Sequence, residues 1–259
     1  MTIQEALNIG VADARLLLAE ATGFSQASLL AFPERQLPPD AAARFHDFAE
    51  RRRKGEPAAY ILGRKEFYDV ELVITPAVLI PRPETELLVD LALARKPASV
   101  LDLGTGSGAI ALALKKHLPG TRVVGTDASA AALEVAKRNA LRLDLDVEWR
   151  HGRWFEPVAG ERFEAIVANP PYVCAGDPHL AALQDEPMLA ITSGVDGLDA
   201  MRVVVKEAPK HLLPGGWLLV EHGEGQQAAV RTLLEDAGLE TATGWPDLAG
   251  IPRVAGGKA

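Results

Sequence analysis

Val100-Leu101-Asp102-Leu103-Gly104-Thr105-Gly106-Ser107-Gly108-Ala109-Ile110-Ala111-Leu112 is a short apolar run that breaks into alternating glycines and resumes as a helical pattern. An apolar run of that length reads as a buried strand, and its alanine-rich continuation as a helix. Glycines between them are needed where the backbone takes positive φ or must approach a ligand closely. Asp127 closes the next apolar run, about 20 residues on, where a carboxylate accepts hydrogen bonds from the vicinal hydroxyls of a ribose. The pair points to a nucleoside-bearing ligand without choosing it, because Gly104-x-Gly106-x-x-Ala109 also satisfies the dinucleotide fingerprint in its G/A form.

Strands and helices alternate outward from this stretch. Strands are expected at Ser99 to Leu103, Arg122 to Thr126, Val147 to Arg150, Glu164 to Ala168, Trp217 to Glu221 and near Thr241 to Gly244. Helices are expected around 108–117, 129–141, 198–212 and 226–237. Such alternation predicts an α/β fold with a doubly wound, mostly parallel sheet. Ligands then sit beyond the C-terminal ends of its strands. Upstream, Pro81-Arg82-Pro83-Glu84 starts a helix expected to place Leu87, Leu88 and Leu91 on one face.

The first 75 or so residues read differently. Thr2 with Glu5 makes a capping box. Ala6, Leu7, Ala14, Leu17 and Leu18 support short helices ending near Gly23. Pro38-Pro39-Asp40 opens another helix that should bury Phe45 and Phe48 and end near Gly55. The basic run Arg51-Arg52-Arg53-Lys54 falls in its last turn, where cations suit the helix dipole; contact with an acidic or RNA-rich partner is the competing reading. Phe67-Tyr68 and Val70 to Ile74 alternate as a hairpin would.

Asn169-Pro170-Pro171-Tyr172 follows the apolar run Ala165 to Ala168. Neither proline can donate to a ladder and both have fixed φ, so the strand ends in a rigid loop. The loop offers an amide, free carbonyl acceptors and an aromatic face, a surface suited to a planar group bearing NH2. The nitrogen of such a group has a delocalised lone pair and is a poor nucleophile. The Asn169 side-chain oxygen and the Pro170 carbonyl can each accept one N–H, aligning that nitrogen and stabilising the positive charge that develops on it. Tyr172 can pack against the plane. No strong base is needed. On this chemistry alone adenine, cytosine and glutamine nitrogens stay open.

Asp102, two residues before the first glycine, could bracket a ligand or orient the loop. Asp102-x-Gly104-x-Gly106-x-Gly108 resembles the first motif of class I S-adenosylmethionine-dependent methyltransferases, and Asn-Pro-Pro-Tyr is shared by members that methylate planar nitrogens.

Bulk composition narrows the partners. A net charge of −8 argues against clamping long duplex nucleic acid through phosphates. A single cysteine, Cys174, excludes an intramolecular disulfide and fits a reducing compartment. The N-terminal stretch lacks a signal peptide's pattern and no apolar run is long enough to span a bilayer, so a cytoplasmic protein is expected.

A closer resemblance covers nearly the whole chain. Gly55-Glu56-Pro57 with Tyr60-Ile61-Leu62-Gly63, Ile80-Pro81-Arg82-Pro83-Glu84-Thr85-Glu86, Asp177-Pro178-His179-Leu180, Glu186-Pro187, Pro214-Gly215-Gly216 and Glu221-His222-Gly223 all resemble strings of the release-factor glutamine methyltransferases. The resemblance implies a helical N-terminal substrate-recognition domain over 1–63, a β-hairpin linker over 64–80 and a Rossmann-like methyltransferase domain over 81–259. It implies methyl transfer from S-adenosyl-L-methionine, giving S-adenosyl-L-homocysteine. The acceptor is the side-chain amide nitrogen (N5) of the glutamine in the Gly-Gly-Gln motif of peptide-chain release factors. By position, Gly104, Thr105, Gly106, Ser107, Gly108, Asp127, Trp154 and Asn169 bind the cofactor, with Trp154 beside the adenine. Asn169, Pro170, Pro171 and Tyr172 hold the glutamine, and Asn169, Pro170 and Tyr172 carry the catalysis. Arg153 departs from a pattern in which several members have an acidic residue before the tryptophan, leaving the adenine amino group without that carboxylate.

Other residues divide more simply. Glu84 and Glu86 suit a helix start, and the resemblance implies instead that Arg82 and Glu84 border the cofactor pocket. His222 is read as a hydrogen-bonding turn residue and Cys174 as packing. No metal is expected. The alternatives are glutamine methylation of a ribosomal protein, N6-adenine methylation of nucleic acid, and a nucleotide-binding module without turnover. A monomer with no direct duplex binding and no membrane association is expected.

Overall fold

The structure, a computed structural model, describes residues 1–259 except the side chain of Thr241. The chain forms two compact units, Met1–Arg64 and Lys65–Ala259.

In the first unit, Thr2 Oγ1 accepts from the Glu5 amide at 3.2 Å while Glu5 Oε2 accepts from the Thr2 amide at 2.8 Å, completing the capping box of α1 (Ile3–Leu7). Helices α2 (Ala14–Thr22), α3 (Gln26–Ala31), α4 (Pro39–Arg53) and α5 (Ala58–Leu62) follow. Gly23 ends α2 at φ 72°, a left-handed cap that glycine takes without a Cβ penalty. Ile3, Leu17, Leu18, Leu29 and Phe45 form a fully buried core, with Phe48 half-buried at its rim. The basic run is paired locally: Arg51 with Glu56 at 2.6 Å, Arg52 with Asp13 at 3.0 Å, and Arg53 with Glu50.

The second unit begins around a two-stranded sheet of β1 (Arg64–Phe67) and β2 (Val70–Val73). A 3-10 turn over Pro83–Thr85 runs into α6 (Glu86–Arg95). The buried stripe of α6 is Leu88, Val89 and Ala92, whereas Leu87 and Leu91 are half-buried. The expected leucine face is therefore rotated: small Ala92 sits one turn after Leu88, and the larger leucines at 87 and 91 become the shoulder.

The main sheet comprises β3 (Ser99–Leu103), β4 (Arg122–Asp127), β5 (Glu148–His151), β6 (Phe163–Ala168), β7 (Leu212–Glu221), β8 (Glu240–Pro246) and β9 (Pro252–Lys258). Its order is β5-β4-β3-β6-β7-β9-β8. β3 to β7 pair in parallel, and β9 runs antiparallel to both β7 and β8. The connecting helices are α7 (Ala109–His117), α8 (Ala130–Leu143), α9 (Asp199–His211) and α10 (Gln227–Asp236). This is the expected Rossmann-like α/β fold. β9 is an addition to it. With a proline, two glycines and one β-branched residue, its sequence is a weak strand on its own, and pairing on both sides makes it one. A Cβ at Gly256 would stand 2.6 Å from the Leu218 carbonyl, so close approach to β7 requires glycine there.

Leu101, Leu103, Ile166, Val204, Leu218 and Val220 are fully buried at the centre. Strand order reverses between β3 and β6, the switch point at which open α/β sheets bind ligands. Leu103 lies opposite Ala168 in register, so Gly104 and Asn169 leave the sheet side by side.

Candidate active site at the β3–β6 switch point

Gly104, Gly106 and Gly108 all take left-handed backbone, at φ 70°, 57° and 83°. The loop is pinned through its amides: that of Thr105 donates to the Thr126 carbonyl at 2.9 Å, and that of Gly106 donates to the side-chain Asp127 Oδ2 at 2.9 Å. Asp127 Oδ1 accepts from the Ser129 amide at 2.8 Å. Each oxygen keeps a lone pair for a further donor. Burial raises the Asp127 carboxyl, and the Ser129 and Gly106 amides pull it back.

Asp102 lies wholly buried beneath the loop. Its Oδ2 accepts from Thr105 Oγ1 at 2.6 Å and from the Ala111 amide at 3.2 Å, and Oδ1 has no partner among the described residues. Burial pushes this carboxyl up to about 7 against those two bonds. Of the two uses open to Asp102, the geometry selects orienting the loop.

Gly104, Gly106, Asp127, Trp154, Asn169 and Pro171 line one cleft, closed on its other sides by apolar residues including Leu79 and Leu189. Trp154 sits at φ 49°, and its buried Nε1 has no partner among the described residues. Three residues expected at the cofactor do not line this cleft. The Thr105 hydroxyl is spent on Asp102, buried Ser107 presents its carbonyl to Asn139 Nδ2 at 2.9 Å, and a Cβ on Gly108 would meet Trp149 at 3.0 Å. These three shape the loop from its buried side. Arg153 is exposed, its amide donating to Glu156 Oε2 at 3.1 Å.

A second, smaller cavity of about 80 Å³ adjoins the first and shares Leu79, Asn169 and Ala190 with it. Arg82, Tyr172, Val173, Leu183 and Ile191 complete its wall. Asn169 Nδ2 donates to Thr85 Oγ1 at 3.2 Å, which leaves Oδ1 as the free acceptor. Pro171 lines the first cleft, and Pro170 is buried and lines neither. Tyr172 Oη donates to Glu221 Oε1 at 3.2 Å, and burial followed by the Glu221 charge drives the phenol's pKa up.

Arg82 and Glu84 do not border the first cleft. Arg82 pairs with buried Glu186, whose other oxygen accepts from the Ile80 amide at 3.0 Å. Arg82 and Glu84 instead line a third cleft with Tyr172, Glu221 and Arg253. His222 Nδ1 bonds the Gly223 carbonyl at 2.9 Å, and burial lowers its pKa, so the ring is a neutral turn residue. Cys174 is half-buried.

Sequence reasoning assigned no role to Thr85, Glu221, Ala77 to Leu79 or the apolar wall from Pro187 to Ala190. Thr85 and Glu221 stand inside strings that carried the family resemblance, the one signal that could have found them.

Residues 83–186 match the methyltransferase small domain, and residues 3–63 match the PrmC N-terminal domain. The release factor glutamine methyltransferase of Pseudomonas aeruginosa is 48% identical over 252 residues, covering 95% of this chain and 91% of its own. That of Xylella fastidiosa strain Temecula1 is 47% identical over 253 residues, covering 95% and 92%. That of Coxiella burnetii is 43% identical over 247 residues, covering 93% and 89%. Among solved structures, a methyltransferase from Pyrococcus furiosus superposes with a TM-score of 0.56 at 19% identity, over 72% of this chain and 87% of its own. The 16S rRNA N2 G1207 methyltransferase of T. thermophilus, solved with AdoMet and guanosine, superposes at 0.57 with 22% identity, over 75% and 49%. Those two share the fold alone. Identity above 40% over nearly the full length of several relatives decides the family: the chain belongs to the release factor glutamine methyltransferases.

Proposed function

We propose that the chain transfers a methyl group from S-adenosyl-L-methionine to the side-chain amide nitrogen of the Gly-Gly-Gln glutamine in peptide-chain release factors. The observation that carries the reading is the position of Asn169 on the wall shared by a larger and a smaller cavity. The larger one fits the methyl donor. Gly104 and Gly106 present bare backbone, Asp127 keeps lone pairs for ribose hydroxyls, and Trp154 offers an aromatic body with an unsatisfied N–H. When bound, the donor supplies an electrophilic methyl group on a sulfonium.

The chain's own residues do the rest. Asn169 Oδ1 accepts one N–H of the glutamine amide and orients its nitrogen, whereas the Pro170 carbonyl, on a buried residue that lines neither cavity, is not assigned that role. As the nitrogen gains positive charge, the same acceptor stabilises it. Tyr172 packs on the amide plane. Leu79 and Ala190 keep water from the junction. The methylated cation is acidic enough to lose its proton to nearby water, so no residue acts as a strong base.

Residues 1–63 recognise the body of the release factor, 64–80 form the linker, and 81–259 carry the chemistry. Among the described residues no helix is long and apolar enough to cross a membrane, and the protein acts in the cytoplasm as a monomer without clamping duplex nucleic acid.

Labelled S-adenosylmethionine offered with a release factor, with a factor whose Gly-Gly-Gln glutamine is replaced, and with unmethylated DNA tests the reading. Label only in the intact factor is expected; label in the replaced factor, or in DNA alone, overturns it. For residues 1–63, a truncation starting at 76 should raise KM for the whole factor, and an unchanged KM removes the recognition role.

A further inference from the structure

The third cleft, of about 210 Å³, lies outside both cavities given to the methyl donor and the amide. Its lining is Arg82, Glu84, Tyr172, Glu221 and Arg253, and every one of these carries a polar group. Arg82 and Tyr172 also wall the small cavity beside Asn169, so the two spaces adjoin. They ask for opposite things, because the small cavity is mostly apolar, with Leu79, Val173, Leu183, Ala190 and Ile191 in its wall.

Hydrogen-bonding capacity in the third cleft is unspent. Glu221 is 1% exposed, and while its Oε1 accepts from Tyr172 Oη at 3.2 Å, Oε2 has no partner among the described residues. A buried carboxylate oxygen without a donor is costly. Burial pushes this carboxyl up to about 7, and a further N–H donor would relieve it. Glu84 is half-buried, and among the described residues its carboxylate makes no hydrogen bond or ion pair. Arg253 commits Nε to Asp247 Oδ2 at 3.3 Å, and a guanidinium has further N–H donors beyond that one. Acceptors and donors thus stand side by side, as the complement of a peptide main chain: carboxylates for its N–H groups, a guanidinium for its carbonyls.

A glutamine side chain has only two methylene groups between its amide and its main chain. With the amide at Asn169, the main chain beside it must lie in the next space along, and the shared wall of Arg82 and Tyr172 makes that space the third cleft. A cleft without apolar lining has nothing to bury a side chain against, so it suits residues that lack one. In a Gly-Gly-Gln acceptor those are the glycines before the glutamine. We propose that the third cleft is a main-chain subsite for these glycines, with Glu84 and Glu221 accepting their N–H groups and Arg253 donating to their carbonyls. The proposal rests on the glutamine acceptor read above and assigns the recognition of the sequence around it. Selectivity for glycine then comes from a close grip on backbone, which a Cβ obstructs.

Glu84→Ala and Arg253→Lys in the full chain test this, each assayed with an intact release factor and with one whose glycine before the glutamine is replaced by alanine. With the intact factor each variant should lower kcat/KM about 5- to 50-fold. The Kd for S-adenosylmethionine should stay within about twofold, because neither residue lines the first cleft. The thermal midpoint of Glu84→Ala should match that of the parent, since its carboxylate holds nothing in the fold. Alanine in the factor should cost the parent enzyme about 10-fold or more in kcat/KM. It should cost the Glu84→Ala enzyme about threefold less, because the bond it displaces is already gone. Losses that simply multiply overturn the proposal, as does parental kcat/KM in both variants. A lowered midpoint with cofactor affinity falling in step marks a role in the fold alone and overturns it as well. A parent chain that labels no release factor overturns the substrate reading instead. The cleft is then decided without a factor by the Arg253 Nε–H NMR resonance, assigned by its loss in Arg253→Lys, under titration with capped glycylglycine. Saturable movement in the parent that Glu84→Ala weakens supports a main-chain subsite, and an unmoved resonance sinks it.

Discussion

The glycine loop and the proline loop leave adjacent strands at the same end of the sheet, yet they are held in opposite ways. Asp102 grips the glycine loop through partners 3 and 9 residues along the chain, one of them a main-chain amide. The proline loop is gripped by side chains, Thr85 from 84 residues upstream and Glu221 from 49 downstream. Both grips are buried carboxyls pushed up to about 7 with one oxygen unpartnered. The difference is one of tolerance. A loop held by its own backbone keeps its shape when one side chain changes, whereas a loop held by distant side chains is re-aimed by a single substitution.

The sharpest way to break this contrast is at Asn169. Asn169→Ala removes the acceptor at the junction of the two cavities and should cost about 100- to 1000-fold in kcat, the scale seen when one preorganised polar group is deleted from a reaction site. Cofactor affinity should weaken but stay measurable by calorimetry. Unchanged turnover would remove Asn169 from the mechanism. Next in size is Asp127→Asn on the glycine side. It swaps two carboxylate acceptors for one acceptor and a donor that meets an amide N–H, so the Kd for S-adenosylmethionine should rise about 10- to 100-fold. kcat at saturating cofactor should change far less, and a kcat loss as large as the Kd change would erase the division of labour between the loops.

That division also explains what could be read from the chain. The glycine pattern, Asp127 and the strand before Asn169 are local signals, each produced by a backbone need within a few residues, and they were legible. So was the alternation that makes the sheet. β9 was not, because its strand state comes from β7 and β8 on either side of a glycine-containing segment with little strand propensity of its own. Nor were the turned-away positions within the loop. Alternating glycines announce a tight turn but not which intervening side chains face inward, and Thr105 and Ser107 both do. Thr85 and Glu221 were invisible as a pair for a simpler reason: nothing in the 135 intervening positions marks two polar residues that come to hold one loop only after the sheet closes.

A pH series sharpens the comparison of the two carboxyls. Their folded values of about 7 stand above the ordinary 3.8 and 4.5. The native state therefore holds protons that the unfolded chain has released. Their contribution to stability is full below about pH 4 and is lost as pH rises through about 7, at up to about 1.4 kcal/mol per pH unit per proton. His222 opposes this trend, because its lowered value makes the unfolded chain the better proton binder. Glu148, held down to about 2 by Arg122, acts only at lower pH. Denaturant unfolding between pH 5 and 7.5 should show a negative slope that Asp102→Asn and Glu221→Gln each flatten. A slope that neither Asp102→Asn nor Glu221→Gln changes would mean that neither carboxyl is raised.

The smallest effect should come from Thr105→Val, the glycine-loop counterpart of Thr85→Val. Both substitutions delete a buried hydroxyl and keep the side chain's shape: that of Thr105 donates to Asp102, and that of Thr85 accepts from Asn169. At Thr105 the loss leaves Asp102 with the Ala111 amide, and the loop keeps the Thr105 and Gly106 amide bonds to the Thr126 carbonyl and Asp127. Unfolding free energy should therefore fall by about 1 kcal/mol, the net worth of one buried hydrogen bond. The Kd for S-adenosylmethionine should rise no more than about threefold, since the groups lining the cleft do not move. Equal kcat losses in Thr105→Val and Thr85→Val would show that both loops are equally fragile, and the contrast between backbone-held and side-chain-held loops would fail at its most direct comparison.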